Sequence, residues 1–289
     1  MATISAAVRD AYLERLALDA ESPSVDALFA LHRAHVERVA YETLWIHLGE
    51  GWSVDTNEST VRIATRGRGG YCFHLNGALS ELLHALGYDV VRHVGGVHGP
   101  DGPSHEEMTN HLVLTVHGLP TAANPAGDWY VDAGLGDAMH EPLPLIPGVY
   151  DQGPYRLTLQ TADGSVGNWA LVHDPSGSFT GMVWRSDEAS IDAFVAHNEW
   201  LSTSPDSGFV KYLVVQRRDA TGVDSLRGLV LRRIGSGAGE STLASQTELI
   251  DVLVDRFGLD LGDVEPEART ALWKKVRRAH EQWEAAGRP

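Results

Sequence analysis

Near residue 88 the spacing of apolar residues changes from three-and-four to two, and this break constrains the fold of the 289-residue chain more than any other feature. Before it the pattern is helical. Ala6, Tyr12, Leu16 and Leu18 mark one amphipathic segment, and in SPSVDALFALHRAHVERV the residues Leu28, Leu31, His32 and Val39 recur at three and four. From Cys72 to Leu86, six apolar residues (Cys72, Leu75, Leu79, Leu82, Leu83, Leu86) share a face, and Gly87 supplies a stop. After Val90 the segments HLVLTV (111–116), WYVDAG (129–134), YRLTLQ (155–160), NWALVHD (168–174) and FVKYLVVQRR (209–218) read as strands between turn-rich loops. The end adds a strand over 226–234 and helices around 246–257 and 265–285, with GSGAGE (235–240) as a turn between strand and helix. That hexapeptide lacks a phosphate-loop lysine and does not match the dinucleotide fingerprint. A helical start, an antiparallel β middle and a short mixed end predict an α+β fold.

Charge narrows the function classes. With 39 acidic against 23 basic residues the net charge is −16, which argues against general nucleic-acid binding. The one dense basic run, Lys274 to Arg278, falls in the C-terminal half of a predicted helix, where it complements the helix dipole. No stretch approaches the ~18 apolar residues of a membrane span. The opening MATISAAVRDAYLERL carries charges before any apolar run, unlike a secretory leader. A single cysteine excludes internal disulfides and Cys-based zinc sites. A soluble, cytoplasmic globular protein is expected.

The lone cysteine sits in RGRGGYCFHLNGALSELLHALGY, two and three residues after a pair of glycines and at the start of the predicted helix. Free first-turn N–H groups and the dipole favour a thiolate there, and a glycine turn can present a nucleophile. Position alone leaves two readings open, a nucleophile or a buried small hydrophobe. A thiolate nucleophile needs a base and an orienting group. Eight of the fourteen histidines lie between His74 and His140, so composition does not choose among them. His111 opens the strand HLVLTV, and Asp132 closes the next strand; adjacent antiparallel strands would bring the two together, although a structural histidine and a turn-capping aspartate also fit these positions. The histidine spacing fits no metal motif, and no metal is expected.

Three segments then carry a family resemblance. RGGYCF (68–73), NHLVLTV (110–116) and VDAGLG (131–136) closely resemble the signature segments of the arylamine N-acetyltransferase family. LHRAHVERVAYETLWIHLGE resembles the family's LHxxH…PFENL stretch, STSPDSGFV (202–210) a late segment beginning at Asn198, and TELIDVLVDRFGLDL (247–261) the helix ending in Phe-Gly-Leu. The resemblance implies a helical bundle (1–90) carrying the nucleophile, a β-barrel (91–210) carrying the histidine and aspartate, and an α/β lid (211–289), around a cysteine-protease-like core. It implies Cys72, His111 and Asp132 as a catalytic triad, and an acetyl-CoA-dependent transferase working by ping-pong through an acetyl-cysteine thioester. Acetyl-CoA is then a substrate, with no tightly bound cofactor; a small arylamine or arylhydrazine is the acceptor, and a homodimer is admitted. Glu42 and Arg68 match an ion pair bracing the nucleophile turn, and Tyr41, Leu135 and Phe209 match acceptor-pocket positions.

The chain also departs from the family pattern. AYETL stands for PFENL, so Tyr41 replaces a phenylalanine; Leu135 replaces an aromatic; His74 replaces a Glu or Gln. The loss of the aromatic at 135 widens the expected pocket, which keeps open an amide-synthase reading, with a longer or carrier-bound acyl thioester. A hydrolase on the same triad and a non-catalytic ligand-binding homologue also stay open. For so acidic a chain to hold an anionic donor, a local basic rim is expected, with Arg66, Arg92, Lys211, Arg217 and Arg218 as its candidates. The segment 94–110 is expected to be a long loop near the pocket.

Overall fold

The computed structural model of the protein describes residues 4–287. Its N-terminal helices start where side-chain oxygens can cap them. Ser5 accepts from the Val8 N–H ahead of α1 (Ala6–Leu16), and Ser24 accepts from the Ala27 N–H ahead of α2 (Val25–Arg38). A two-residue strand β1 (Tyr41–Glu42) and the short α3 (Leu44–Leu48) follow. Asp55 then caps α4 (Thr56–Arg66), a helix the apolar spacing does not single out, and α5 (Cys72–Ala85) carries the cysteine. Tyr12, Leu16, Leu31, Leu79 and Leu82 form the common core of these helices.

The middle of the chain is a meander: β2 (Asp89–His98), β3 (His111–His117), β4 (Trp129–Val131), β5 (Leu143–Pro144), β6 (Gly148–Gln152), β7 (Tyr155–Thr161), β8 (Trp169–Val172) and β9 (Gly181–Glu188). These eight strands make a nearly closed antiparallel barrel sheet in the order β5-β4-β3-β2-β9-β8-β7-β6. Leu157, Leu159, Met182 and Trp184 fill its interior. Its β3–β4 edge lies against α5, because Leu114, Val116 and Val131 belong to the same core as Leu75 and Leu79. Then come α6 (Val195–Thr203) and α7 (Gly208–Lys211). A second antiparallel sheet is built from β10 (Val214–Asp219), β11 (Gly222–Arg227), β12 (Val230–Gly235) and β13 (Gly239–Thr242), with β1 on its edge. It packs on α8 (Gln246–Asp251) and α9 (Pro266–Ala285) through Leu226, Leu249, Leu253, Phe257 and Leu272.

Several sequence expectations are corrected here. The stretch 226–234 is two strands, because Gly228 at φ +59° turns the chain between β11 and β12. GSGAGE joins two strands, β12 and β13, rather than a strand and a helix. Residues 209–211 are helical because Ser207 caps them, so the strand begins at Val214. Residues 94–98 of the expected loop belong to β2, which leaves 99–110 as the irregular part.

Candidate active site

The turn before Cys72 admits little besides its own residues. A β-carbon on Gly69 would lie 2.0 Å from the Ala40 carbonyl oxygen, and Gly70 holds φ +99°, a region glycine occupies without steric cost. The Gly70 carbonyl accepts from the Glu42 N–H at 2.9 Å, which ties the turn to β1. Tyr71 is the N-cap of α5, and its N–H donates to His74 Nδ1 at 3.3 Å. Burial, reinforced by the nearby Arg62, holds the His74 pKa well below its ordinary value. The ring is therefore neutral, as an acceptor must be, and His74 does here what a Glu or Gln does in a capping box. Cys72 occupies the first helical position with 4% of its surface exposed.

Cys72, His111 and Asp132 come together from α5, the start of β3 and the residue just past β4. The Cys72 thiol donates to the Asn110 carbonyl at 3.5 Å, and Cys72 and His111 line the same cleft. His111 Nε2 is 2.8 Å from Asp132 Oδ2, which leaves Nδ1 for the sulfur. Burial opposes a charged imidazole, but the Asp132 carboxylate, with a smaller contribution from Cys72, outweighs it, so the His111 pKa is pushed up to about 10. Burial likewise opposes the Asp132 carboxylate, yet its bonds to His111, Asn76 and Tyr130 hold its pKa below the usual range. A histidine between a carboxylate and a thiol can pass between imidazole and imidazolium, taking a proton from the sulfur or from an incoming nucleophile and giving it back.

Three positioning residues carry no signal in the sequence motifs. Asn76 Nδ2 donates to Asp132 Oδ1 at 2.7 Å and to the Leu112 carbonyl at 2.6 Å, while Asn76 Oδ1 accepts from the Ala133 N–H. The Tyr130 hydroxyl donates to Asp132 Oδ2 at 2.8 Å. Asn110 clamps the backbone ahead of His111 by pairing its amide with both the N–H and the carbonyl of Val97 at 2.8 Å. Asn76 was detectable in principle, since it lies one turn after Cys72 on the same helical face. In VDAGLG, a β-carbon on Gly134 would lie 2.8 Å from Cys72 Cα, so only glycine lets this turn approach Cys72 so closely.

Glu42 and Arg68 are almost wholly buried, at 0% and 2% exposure, with Arg68 Nε 3.1 Å from Glu42 Oε1. Glu42 Oε2 also accepts from the Trp45 N–H at 3.4 Å. Tyr41, Leu135 and Phe209 line one cleft of about 910 Å³ together with Cys72 and His111. The five candidates for a basic rim are not brought together. Arg92 is buried against Glu81 at 2.6 Å, and Arg218 donates to the carbonyls of Gln152 and Gly153. Arg66 pairs with Asp263, Lys211 lies 3.9 Å from Asp206, and Arg217 is half-buried; none of the five lines the cleft, which Arg227 does. Among the described residues no group of three or more His, Cys, Asp or Glu side chains is arranged to hold a metal ion.

A family model described as N-acetyltransferase matches residues 24–265. The arylamine N-acetyltransferase of Mycolicibacterium smegmatis is 32% identical over 268 residues, covering 88% of this chain and 92% of its own. The chain belongs to the arylamine N-acetyltransferase family. The fold agrees: the structure of the Mycobacterium marinum arylamine N-acetyltransferase in complex with CoA superposes with a TM-score of 0.82 at 26% identity, over 93% of this chain and 98% of that one. The proansamycin X synthase of Amycolatopsis mediterranei is 31% identical over 180 residues, 57% of this chain and 65% of its own. The protein is thus an acyltransferase of this family with an α+β fold. No helix among the described residues is long and apolar enough to cross a membrane.

Proposed function

We propose that the protein transfers the acetyl group of acetyl-CoA to arylamines or arylhydrazines by a ping-pong reaction through Cys72. The observation that carries this reading is that Cys72 and His111 line one cleft while His111 Nε2 lies 2.8 Å from the buried Asp132 carboxylate. His111 takes the thiol proton, and the sulfur attacks the acetyl carbonyl. The oxygen of the tetrahedral intermediate is met by the Cys72 backbone N–H, one of the first-turn donors of α5 that have no intrahelical acceptor. The C–S bond to CoA breaks, and His111 returns its proton to the departing CoA sulfur. An amine nitrogen then attacks the thioester, loses its proton to His111 and leaves as the N-acetyl product, while the Cys72 sulfur is released. Asp132 orients the imidazole and stabilises its cation throughout. CoA in the M. marinum relative supports a CoA thioester as donor, and a reactive lone thiol suits a reducing, cytoplasmic setting. Glu42 and Arg68 brace the nucleophile turn, and Tyr41, Leu135 and Phe209 wall the acceptor side.

Steady-state rates with acetyl-CoA and a panel of amines, hydrazines and hydroxylamines test the reading. Parallel double-reciprocal lines with aromatic amines are expected; CoA release that ignores the amine points instead to a hydrolase. The likeness to a synthase, with Leu135 widening the cleft, favours one second reading, an amide synthase for longer or carrier-bound acyl thioesters. Turnover restricted to such donors would establish it.

A further inference from the structure

The edge of the second sheet beside Cys72 carries a row of polar side chains that the reaction above does not use. Tyr41 on β1 is directly opposite Gln216 on β10, and Gln216 is directly opposite Ser225 on β11. Residues facing one another across antiparallel strands project from the same side of the sheet, and all three line the cleft that contains Cys72 and His111. Ahead of this row the Tyr41 ring meets Phe209 edge-on at 6.2 Å. The VDAGLG turn presses on its middle: Gly136, at φ +74°, leaves so little room that a β-carbon there would lie 2.1 Å from Gln216 Oε1 and 3.3 Å from the Tyr41 ring. The row is therefore held between the Phe209 ring and the backbone at Gly136.

Among the described residues, neither the Tyr41 hydroxyl, the Gln216 amide nor the Ser225 hydroxyl has a hydrogen-bond partner in the protein. Gln216 is only 6% exposed. Its amide is not sealed from solvent, and with no partner in the protein it pairs with water or with a group that enters the cleft. The Tyr41 phenol stays neutral, since burial first and its proximity to Cys72 second hold its pKa well above the ordinary value. It is thus a hydrogen-bond donor close to the reacting sulfur, at a position where the family pattern has a phenylalanine that cannot donate.

Resting on the acetyltransferase reading above, we propose that Tyr41, Gln216 and Ser225 are specificity-determining residues that select aromatic amines bearing a hydrogen-bonding ring substituent, such as a hydroxyl or carboxamide, over their apolar isosteres. A site that offers buried donors and acceptors discriminates strongly against a ligand that leaves them unpaired, whereas a purely apolar wall discriminates weakly. Ser225, outermost of the three in the strand order, extends the row away from β1.

The test compares aminophenols and aminobenzamides with toluidines as acceptors, for the intact enzyme and for Tyr41→Phe and Gln216→Met. The quantity read is the ratio of kcat/KM for the polar acceptor to that for the toluidine. Intrinsic amine reactivity cancels when this ratio is compared between the enzyme and its variants, and so does any general loss of packing. At least one polar acceptor should show a ratio about tenfold lower in each variant, one hydrogen bond of roughly 1.4 kcal/mol, with the change in KM or in the amine-dependent step and not in thioester formation. Ratios that stay within twofold in both variants overturn the proposal. So does a loss confined to the acylation half-reaction, which would assign the row to the acyl donor. Failure of the acetyltransferase reading itself is distinct, because no acetyl-cysteine would then form with any acceptor.

Discussion

Asn76 Nδ2 lies 2.7 Å from Asp132 Oδ1, so the helix that presents Cys72 also holds the carboxylate that orients His111. One turn of α5 separates the two roles. Because Asn76 also binds the Leu112 and Ala133 backbones, the three functional side chains are referenced to one rigid element instead of to three independent loops.

Replacing Asn76 by alanine should therefore slow acylation about 10- to 100-fold while the protein remains folded, since small misplacements of a reacting pair cost this much. Asp132 also loses one of the donors that keep its pKa low, so the acid limb of the rate–pH profile should move to higher pH. Stopped-flow release of CoA across pH checks both; a uniform loss of rate with an unmoved profile contradicts the assignment.

Asp132→Asn should lower the acylation rate about a thousandfold or more, as expected when the group stabilising an imidazolium is lost. A stability change accompanies it. The pKa of His111 is raised to about 10 in the folded protein from an unfolded value of about 6.5. The stabilisation it gives is complete below about 6.5 and is lost as pH rises towards 10. Melting temperatures between these limits should fall with pH in the native enzyme and be flatter in Asp132→Asn; equal slopes would show that this pair does not govern alkaline stability.

The Glu42–Arg68 pair predicts an asymmetry. Glu42→Gln leaves the buried Arg68 cation with only the partly exposed Glu50, 3.6 Å away, and should cost about 3 kcal/mol in denaturant unfolding, whereas Glu42→Gln with Arg68→Met should recover part of that loss. Additive losses in the double variant would mean that the two side chains do not depend on each other.

His74 accepts from the N-cap N–H of its own helix. His74→Gln retains an acceptor and should perturb stability little, whereas His74→Ala should cost about 1 kcal/mol. Comparison of the two unfolding midpoints separates capping from ring packing, because equal losses would assign the effect to the ring's contacts with Trp45 and Trp52.

The features legible in the sequence are those set by local rules. The apolar spacing from Cys72 to Leu86 and the alternation in HLVLTV reflect a helix face and a strand, and both stand in the structure. The turn at Gly228 is hidden because Leu226 before it and Leu229, Val230 and Leu231 after it look like one strand, and only the backbone turn at φ +59° divides them. Long-range pairing is the other blind spot. Nothing local shows that Arg92 is buried against Glu81 or that Arg218 is enclosed by carbonyls, so basic character alone suggests a rim that these residues do not form. Tyr130 and Asn110 escape notice for the same reason, since their partners come from the register of β4 and from β2. Tyr41 is visible as a departure in the pocket, but its alignment with Gln216 requires the strand pairing.

The central claim is that Cys72 carries the acyl group. Intact-mass measurement of the protein after brief exposure to acetyl-CoA without an amine tests it most directly. One added acetyl group is predicted, mapping to Cys72, absent in Cys72→Ala and discharged when an aromatic amine is added. CoA released at the same rate by Cys72→Ala, or an adduct on any other residue, would contradict the account.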